Sequence, residues 1–216
     1  VRARPGHPRT PRPVLLNTWE AVYFNHDLDE LTRLADAAAQ VGVERFVLDD
    51  GWFRGRNDDT SSLGDWYVDT AKYPDGLEPL VAHVTGLGMQ FGLWVEPEMV
   101  SQDSDLFRAH PEWALQVVGR PLLTGRHQLV LDLGRPEVVD HLFTVLNEVL
   151  RGAPISYLKW DMNRDLTHVG DAAGRAATTR QTNAVYALID RVRTAHPHVE
   201  IESCASGGGR VDRTSS

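Results

Sequence analysis

Residues 157–163 read YLKWDMN, a short apolar run that ends in charged and polar residues. Side chains alternate along a strand, so Tyr157, Lys159 and Asp161 share one face of this run, and the residues between them face the other way. The apolar second face suits packing against helices, while the first face directs a lysine and a carboxylate toward the axis of a barrel. This stretch therefore favours a strand of a parallel sheet that has helices outside it.

Short strand-like runs alternate with longer helical ones along the rest of the chain, which is the signature of βα units. The predicted strands are Val14–Asn17, Arg45–Asp49, Gln90–Glu96, Gln128–Leu133, Ser156–Asp161 and Val199–Ser203. The predicted helices are Leu28–Val41, Leu77–Leu87, Pro136–Leu150 and Thr178–Ala195, with a short helical turn at Ser104–Ala109. The predicted fold class is therefore α/β, a (β/α)8 TIM barrel with about six of its βα units present.

The length of the chain limits how much of such a barrel it can form. A complete barrel takes about 250 residues, whereas this sequence has 216. Residues 1–12 alternate arginine with proline, which resists helix and sheet, so we expect a linker there. Residues 13–216 are expected to form a partial TIM-barrel domain, and the missing initiator Met predicts that further chain precedes Val1.

Composition argues against several classes of partner. The net charge of −8 gives no general electrostatic reason to bind nucleic acid or an anionic membrane, and no apolar run approaches the ~20 residues of a membrane span.

Cys204 is the only cysteine, so no intrachain disulfide can form, which favours a reducing, cytoplasmic location. The histidines lack the close spacing of a zinc motif, so we predict no metal and no cofactor.

Acidic and aromatic residues follow the predicted strands, at the end where barrel enzymes build their sites. Asp49 and Asp50 cannot both face inward from a regular strand; they would bind hydroxyls, accept protons or cap the following turn. Trp19 follows the first strand, and Trp94 shares a face of the third with Glu96. An inward tryptophan there is either core packing or a platform for the apolar face of a sugar. Together these residues suggest a carbohydrate ligand.

The pair formed by Lys159 and Asp161 has two interpretations. Buried charges persist by pairing whatever their role, so the two residues could form a purely structural ion pair. Alternatively, a carboxylate that a neighbouring ammonium keeps ionised has the properties required of a nucleophile. Its position at the carboxyl end of a strand favours the second interpretation.

The segment after the last predicted strand, residues 202–210, is rich in glycine. Glycine permits close approach of the backbone to a ligand, and a phosphate cradle is one interpretation, although GxGxxG and GxxxxGK[ST] are both absent. Cys204 in this segment is a small buried side chain, a ligand contact or a reactive thiol. Arg126, just before the fourth predicted strand, is either a solvated side chain or a group that holds a carboxylate or hydroxyl.

Five segments together resemble glycoside hydrolase family 36, the bacterial α-galactosidases or melibiases. They lie at residues 17–20, 49–52, 93–98, 159–164 and 203–210, and read NTWE, DDGW, LWVEPE, KWDMNR and SCASGGGR. They occur in the family's order and extend from about Val14 to Asp212. The resemblance implies that the partial barrel is a catalytic domain.

The resemblance implies a retaining, double-displacement glycosidase that removes terminal α-D-galactosyl residues from melibiose or raffinose-type oligosaccharides. Asp161 would attack the anomeric carbon, and Asp49 and Asp50 would hold galactose hydroxyls, including the axial 4-OH. The remaining implied substrate-binding residues are Trp19, Trp94, Arg126, Lys159, Asn163, Cys204 and Gly207. The resemblance is also compatible with a full-length protein that forms a homo-oligomer.

The sequence departs from the family in lacking the SDNTD-like motif that carries the general acid/base. Asp212 is the last carboxylate, but it matches a structural position of the glycine-rich motif, so we do not assign it that role. We therefore expect the acid/base to lie beyond the C-terminus, and the chain alone to be inactive. The alternatives are a non-catalytic galactoside-binding remnant, a related α-N-acetylgalactosaminidase or transglycosylase, and a phosphate-binding barrel suggested by the glycine run alone.

Overall fold

The computed structural model describes residues 11–171 and 173–205. Its strands are β1 (Leu15–Asn17), β2 (Arg45–Leu48), β3 (Gln90–Val95), β4 (Met99–Ser101), β5 (Gln128–Val130), β6 (Tyr157–Trp160) and β7 (Glu200–Ser203). Its helices are α1 (Trp19–Val22), α2 (Leu28–Gln40), α3 (Glu78–Gly86), α4 (Asp105–Ala109), α5 (Pro136–Gly152) and α6 (Thr178–Ala195), with a 3-10 turn at Pro111–Trp113. The main sheet is parallel, in the order β1-β2-β3-β6-β7. The predicted α/β class is confirmed.

The prediction that Gln128–Leu133 is a parallel strand of the barrel is wrong. The segment forms β5, which pairs with β4 in an antiparallel ribbon, and β3 pairs directly with β6. Gly92 permits this, since a Cβ there would lie 2.9 Å from a ring carbon of Tyr157 on β6. Among the described residues, the parallel sheet therefore has five strands rather than six.

The long helices form where apolar residues recur at helical spacing, and α2 is also capped at its N-terminus by a side chain. Asp27 caps α2, because its side chain accepts a hydrogen bond from the backbone N–H of Glu30 at 2.8 Å. Gly42 follows the end of this helix with φ +86°, the left-handed conformation that glycine adopts without cost. All four predicted long helices are confirmed, and the short α1 was not predicted.

The register of the sheet brings the carboxyl ends of its strands to one edge. Asn17 pairs with Val47, and Trp94 pairs with Lys159. The polar residues that follow β2, β3 and β6 therefore emerge side by side above a core of buried aliphatic and aromatic side chains.

Most of the predicted linker, residues 1–10, lies outside the described residues. Pro11 and Arg12 have no regular structure, and the Arg12 guanidinium forms an ion pair with Glu200. In the described part of the chain, none of the helices combines the length and the apolar composition that crossing a bilayer would require.

Candidate active site

A cavity of about 260 Å³ opens at the carboxyl edge of the parallel sheet. Eight of the ten residues singled out from the sequence line it: Trp19, Asp49, Asp50, Trp94, Arg126, Lys159, Asp161 and Asn163. Cys204 lies beside the cavity, next to Asp161, and Gly207 lies outside the described residues. The cavity thus brings together residues that are more than 140 positions apart in the chain, and those that follow β1, β2, β3 and β6 meet there because the carboxyl ends of parallel strands lie at one edge.

Asp161 is surrounded by hydrogen-bond donors. Its Oδ2 accepts from the indole N–H of Trp94 at 3.0 Å and from the side-chain amide of Asn163 at 2.8 Å. Its Oδ1 accepts from the backbone N–H of Met162 at 2.9 Å, and the Cys204 thiol also donates to this carboxylate. Burial by itself would raise the pKa of Asp161, but these donors outweigh it and lower the pKa. The carboxylate is thus held ionised by neutral donors.

The close ion pair of Lys159 is with Asp49, and Asp161 also acts on the Lys159 ammonium electrostatically. The Lys159 ammonium lies 2.8 Å from Oδ2 of Asp49, whose side chain is 4% exposed and also accepts from the Asn17 amide. Alternation correctly placed Lys159 and Asp161 on the same face, since both line the cavity. It could not show that the long lysine side chain reaches toward β2 rather than along its own strand.

Asp49 and Asp50 both line the cavity, although they are adjacent in sequence. The backbone N–H of Asp50 donates to Oδ1 of Asp49 at 2.9 Å, while Oδ2 of Asp49 is paired with Lys159. Arg56 donates two hydrogen bonds to the Asp50 carboxylate, at 2.9 Å from its Nε and at 2.8 Å from a terminal nitrogen. Each acid therefore has its own cation, and both carboxylates are fixed without a ligand.

The two tryptophans of the cavity differ in environment. Trp94 is 2% exposed and its ring is nearly parallel to that of Phe53, with 6.4 Å between the centroids. It is therefore both a core residue and a hydrogen-bond donor to Asp161. Trp19 is half-buried and packs edge-on against Tyr23 and Phe24.

Sequence reasoning missed some of the cavity wall. The residues it did not select are Phe24, Arg56, Asp59, Glu96 and Gln128. Glu96 was recognised as facing the same way as Trp94, and that alternation was the available signal. Its side chain is fully buried, and burial raises the pKa of Glu96 to about 7. Arg56 had no signal of this kind, because it lies in the loop after β2.

In the described ranges, His, Cys, Asp and Glu side chains form no group of three or more that could hold a metal ion. What the cavity offers instead is an ionised carboxylate, two fixed acids with their cations, and aromatic walls. Such a set can donate and accept hydrogen bonds with several hydroxyls of one small ligand while a nucleophile faces it.

Comparison with known proteins gives consistent matches over almost the whole chain. A family model described as melibiase matches residues 2–215. An α-galactosidase of Escherichia coli is 56% identical over 201 residues, which cover 93% of this chain and 28% of that protein. Crystal structures of two variants of the α-galactosidase AgaA from Geobacillus stearothermophilus, one in complex with stachyose and one with raffinose, are each 47% identical, with a TM-score of 0.89. Each comparison covers 93% of this chain and 29% of the other.

Proposed function

The chain belongs to the melibiase family, and we propose that it carries the nucleophile and most of the sugar-binding site of a retaining α-galactosidase. The substrates would be terminal α-D-galactosides of the melibiose and raffinose type, since relatives are crystallised with stachyose and raffinose. The chain spans less than a third of the length of those relatives, so the remainder of the catalytic unit is proposed to come from other segments.

The observation that carries this proposal is the environment of Asp161. A nucleophilic carboxylate must be ionised, fixed in direction and open to the sugar, and Asp161 meets these requirements at the cavity wall. One carboxylate oxygen would form a bond to the anomeric carbon as the bond from that carbon to the leaving oxygen breaks. Water would then hydrolyse the galactosyl-enzyme, which restores the α-configuration.

Retaining chemistry also needs a general acid/base about 5–5.5 Å from the nucleophile. Of the other acids that line the cavity, Asp49 is paired with Lys159, Asp50 is engaged by two nitrogens of Arg56, and Glu96 is fully buried. Asp59 is half-buried in the loop after β2, and its segment does not resemble the family's acid/base motif. We therefore propose that the acid/base lies outside residues 11–171 and 173–205.

The remaining wall residues are proposed to recognise galactose. Asp49 and Asp50 would accept hydrogen bonds from ring hydroxyls, including the axial 4-OH, while Lys159 and Asn163 donate to others. The other proposed binding residues are Trp19, Trp94, Arg126, Cys204 and Gly207. The carboxylates are already oriented by Lys159 and Arg56, so little ordering is needed when the sugar binds.

The proposal is tested by covalent trapping with a fluorinated α-galactosyl donor that has an activated leaving group, in the protein at its full natural length. Such a leaving group needs little protonation, so the test isolates the nucleophile from the acid. Peptide mapping should place the label on Asp161, and Asp161→Asn should abolish it. Asp165→Asn is the matched control, because Asp165 is exposed and does not line the cavity.

Two outcomes would contradict the proposal. A folded protein that stays unlabelled, or that carries the label on another residue, would exclude Asp161 as the nucleophile. Labelling at equal rates by the α-glucosyl donor, which differs at the 4-OH, would contradict the roles of Asp49 and Asp50.

A further inference from the structure

Glu96 is a fully buried acid at the carboxyl end of β3, and it does not touch Asp161 directly in any hydrogen bond that the structure shows. Its Oε1 accepts from the backbone N–H of Asn163, and its Oε2 accepts from the side-chain amide of Gln128 at 3.2 Å. Glu96 thus joins the end of β3 to β5 and to the loop after β6. These three segments meet beside the nucleophile.

The contact with Asn163 links Glu96 to the nucleophile through one intermediate. The Asn163 side-chain amide donates to Oδ2 of Asp161 at 2.8 Å, so whatever fixes the Asn163 backbone also fixes this donor. We propose that Glu96 is a positioning residue for the nucleophile, which it orients through Asn163 while its own negative charge supports the developing charge on the sugar. This inference rests on the proposed function of Asp161.

Gln128 allows this arrangement to persist whether Glu96 is ionised or protonated. Its Oε1 is buried and has no hydrogen-bond partner, while its amide nitrogen donates to Glu96. The two amide orientations of a glutamine are assigned from such contacts. If Glu96 takes up a proton, a half-turn of the Gln128 amide would present Oε1 to accept it. Geometry would then be kept while the charge changes.

The charges that face Glu96 make its ionisation sensitive to pH near neutrality. Burial raises the pKa of Glu96, hydrogen bonds from Asn163 lower it, and the carboxylates of Asp161 and Asp50 raise it, so that together they bring the pKa to about 7. Of the cations around it, Lys159 and Arg56 are paired with Asp49 and Asp50. Arg126 also lines the cavity, and the Arg164 guanidinium donates to the backbone carbonyl of Gln128 at 2.6 Å. Since the transition state of glycoside transfer carries positive charge on the sugar, an ionised Glu96 should stabilise it.

The variant Glu96→Gln removes the negative charge of Glu96 but keeps its hydrogen bond to Asn163, so it tests the charge role apart from the positioning role. The amide that it introduces can still accept from Asn163, and Gln128 can turn to accept its N–H, so the anchor remains. We expect trapping by the fluorinated donor to be retained at low pH, but its rise between about pH 6 and pH 8 to be lost. Glu96→Ala removes the anchor as well, and should slow trapping on the order of 100-fold with little change in donor affinity.

Glu98→Gln is the matched control. Glu98 is a buried acid two residues further on, and it accepts from the indole N–H of Trp160 at 3.0 Å without lining the cavity. This variant should keep the rise of trapping with pH, which shows that the effect belongs to Glu96 and not to any buried glutamate of this segment.

The outcomes distinguish this inference from the proposed function. If the parent protein is labelled on Asp161 and Glu96→Gln keeps the same pH profile, the charge role of Glu96 is overturned. If a folded Glu96→Ala traps at the parent rate, its positioning role is overturned; should that variant not fold, Glu96→Leu, which also cannot accept from Asn163 but fills more of the space, takes its place with the same criterion. If the parent protein itself is never labelled on Asp161, the proposed function fails first and this inference fails with it.

Discussion

The indole N–H of Trp94 donates to Oδ2 of Asp161 across 3.0 Å, and the same indole is backed by the nearly parallel ring of Phe53. Because Trp94 is 2% exposed, its rotamer is set by core packing and not by a ligand. The donor is therefore in place before a sugar arrives. This is the form of preorganisation that makes a fixed dipole effective beside a reacting charge.

Trp94→Phe should weaken the proposed nucleophile, Asp161, without removing the aromatic wall. Loss of one donor to a buried carboxylate removes a charge-assisted hydrogen bond, so the pKa of Asp161 should rise. The carboxylate also loses a contact that fixes its direction, so trapping at neutral pH should slow by about 10-fold to 100-fold. The measurement is the rate of labelling by the activated donor as a function of pH. Trp113→Phe, remote from the cavity, should leave this rate unchanged.

Lys159→Met should destabilise the protein as well as abolish sugar binding. The Asp49 side chain is 4% exposed, so removal of its ammonium partner leaves a buried charge without a counter-ion. This should lower the free energy of unfolding by about 3 kcal/mol. Denaturant unfolding measures this loss. Adding Asp49→Asn should restore much of the stability but not the labelling, and a double variant as unstable as the single one would contradict the pairing.

The positions of the cavity residues at the ends of the parallel strands were predictable from strand alternation and from the common end of those strands, whereas Arg126 precedes β5 and does not follow from this pattern. The partners of the cavity residues were not predictable. Alternation states which face a side chain occupies but not how far it reaches, which is why Lys159 was paired with Asp161 instead of Asp49. The contact of Gln128 with Glu96 spans 32 positions and two sheets, and no local pattern encodes it.

The helices and the parallel strands were predictable for the same reason, since periodicity is a local property of the sequence. The wrong prediction concerned β5. Its apolar run correctly indicates a strand, but it does not indicate which strand β5 pairs with. It pairs antiparallel with β4, while β3 pairs directly with β6, where Gly92 lies against Tyr157. That approach is a tertiary contact between segments 65 residues apart.

Gly92→Ala tests this close approach. The added methyl would lie 2.9 Å from a ring carbon of Tyr157 and 3.0 Å from a methyl of Val47, in a core where neither can retreat freely. Overpacking of this kind costs about 1–3 kcal/mol in unfolding free energy. Thermal or denaturant unfolding measures it, with Gly152→Ala as the control, because a Cβ at Gly152 meets nothing within 4 Å. Equal stability of the two variants would contradict the tight β3–β6 contact.

His26 should make stability fall in mild acid. Its ring is 4% exposed, Nδ1 lies 2.8 Å from the Tyr73 hydroxyl, and Nε2 is buried with no hydrogen-bond partner. Burial, and then the charge of Lys72, lower the pKa of His26 from 6.5 to about 4. Between these two values the unfolded chain binds a proton that the folded protein excludes, so the stability present above about pH 6.5 is lost as the pH falls toward about 4.

Comparison of the parent protein with His26→Gln isolates this contribution, because Glu96 acts in the opposite direction. The pKa of Glu96 is raised, so its protonation on acidification favours the folded state in both proteins and cancels from their difference. The difference in unfolding free energy between the two proteins should be constant above about pH 6.5. As the pH falls toward about 4, the parent protein should lose about 3 kcal/mol of stability relative to His26→Gln. His198→Gln, at an exposed position, should show no such shift. A difference that stays flat for His26→Gln would mean that the imidazole is accessible to protons in the folded protein.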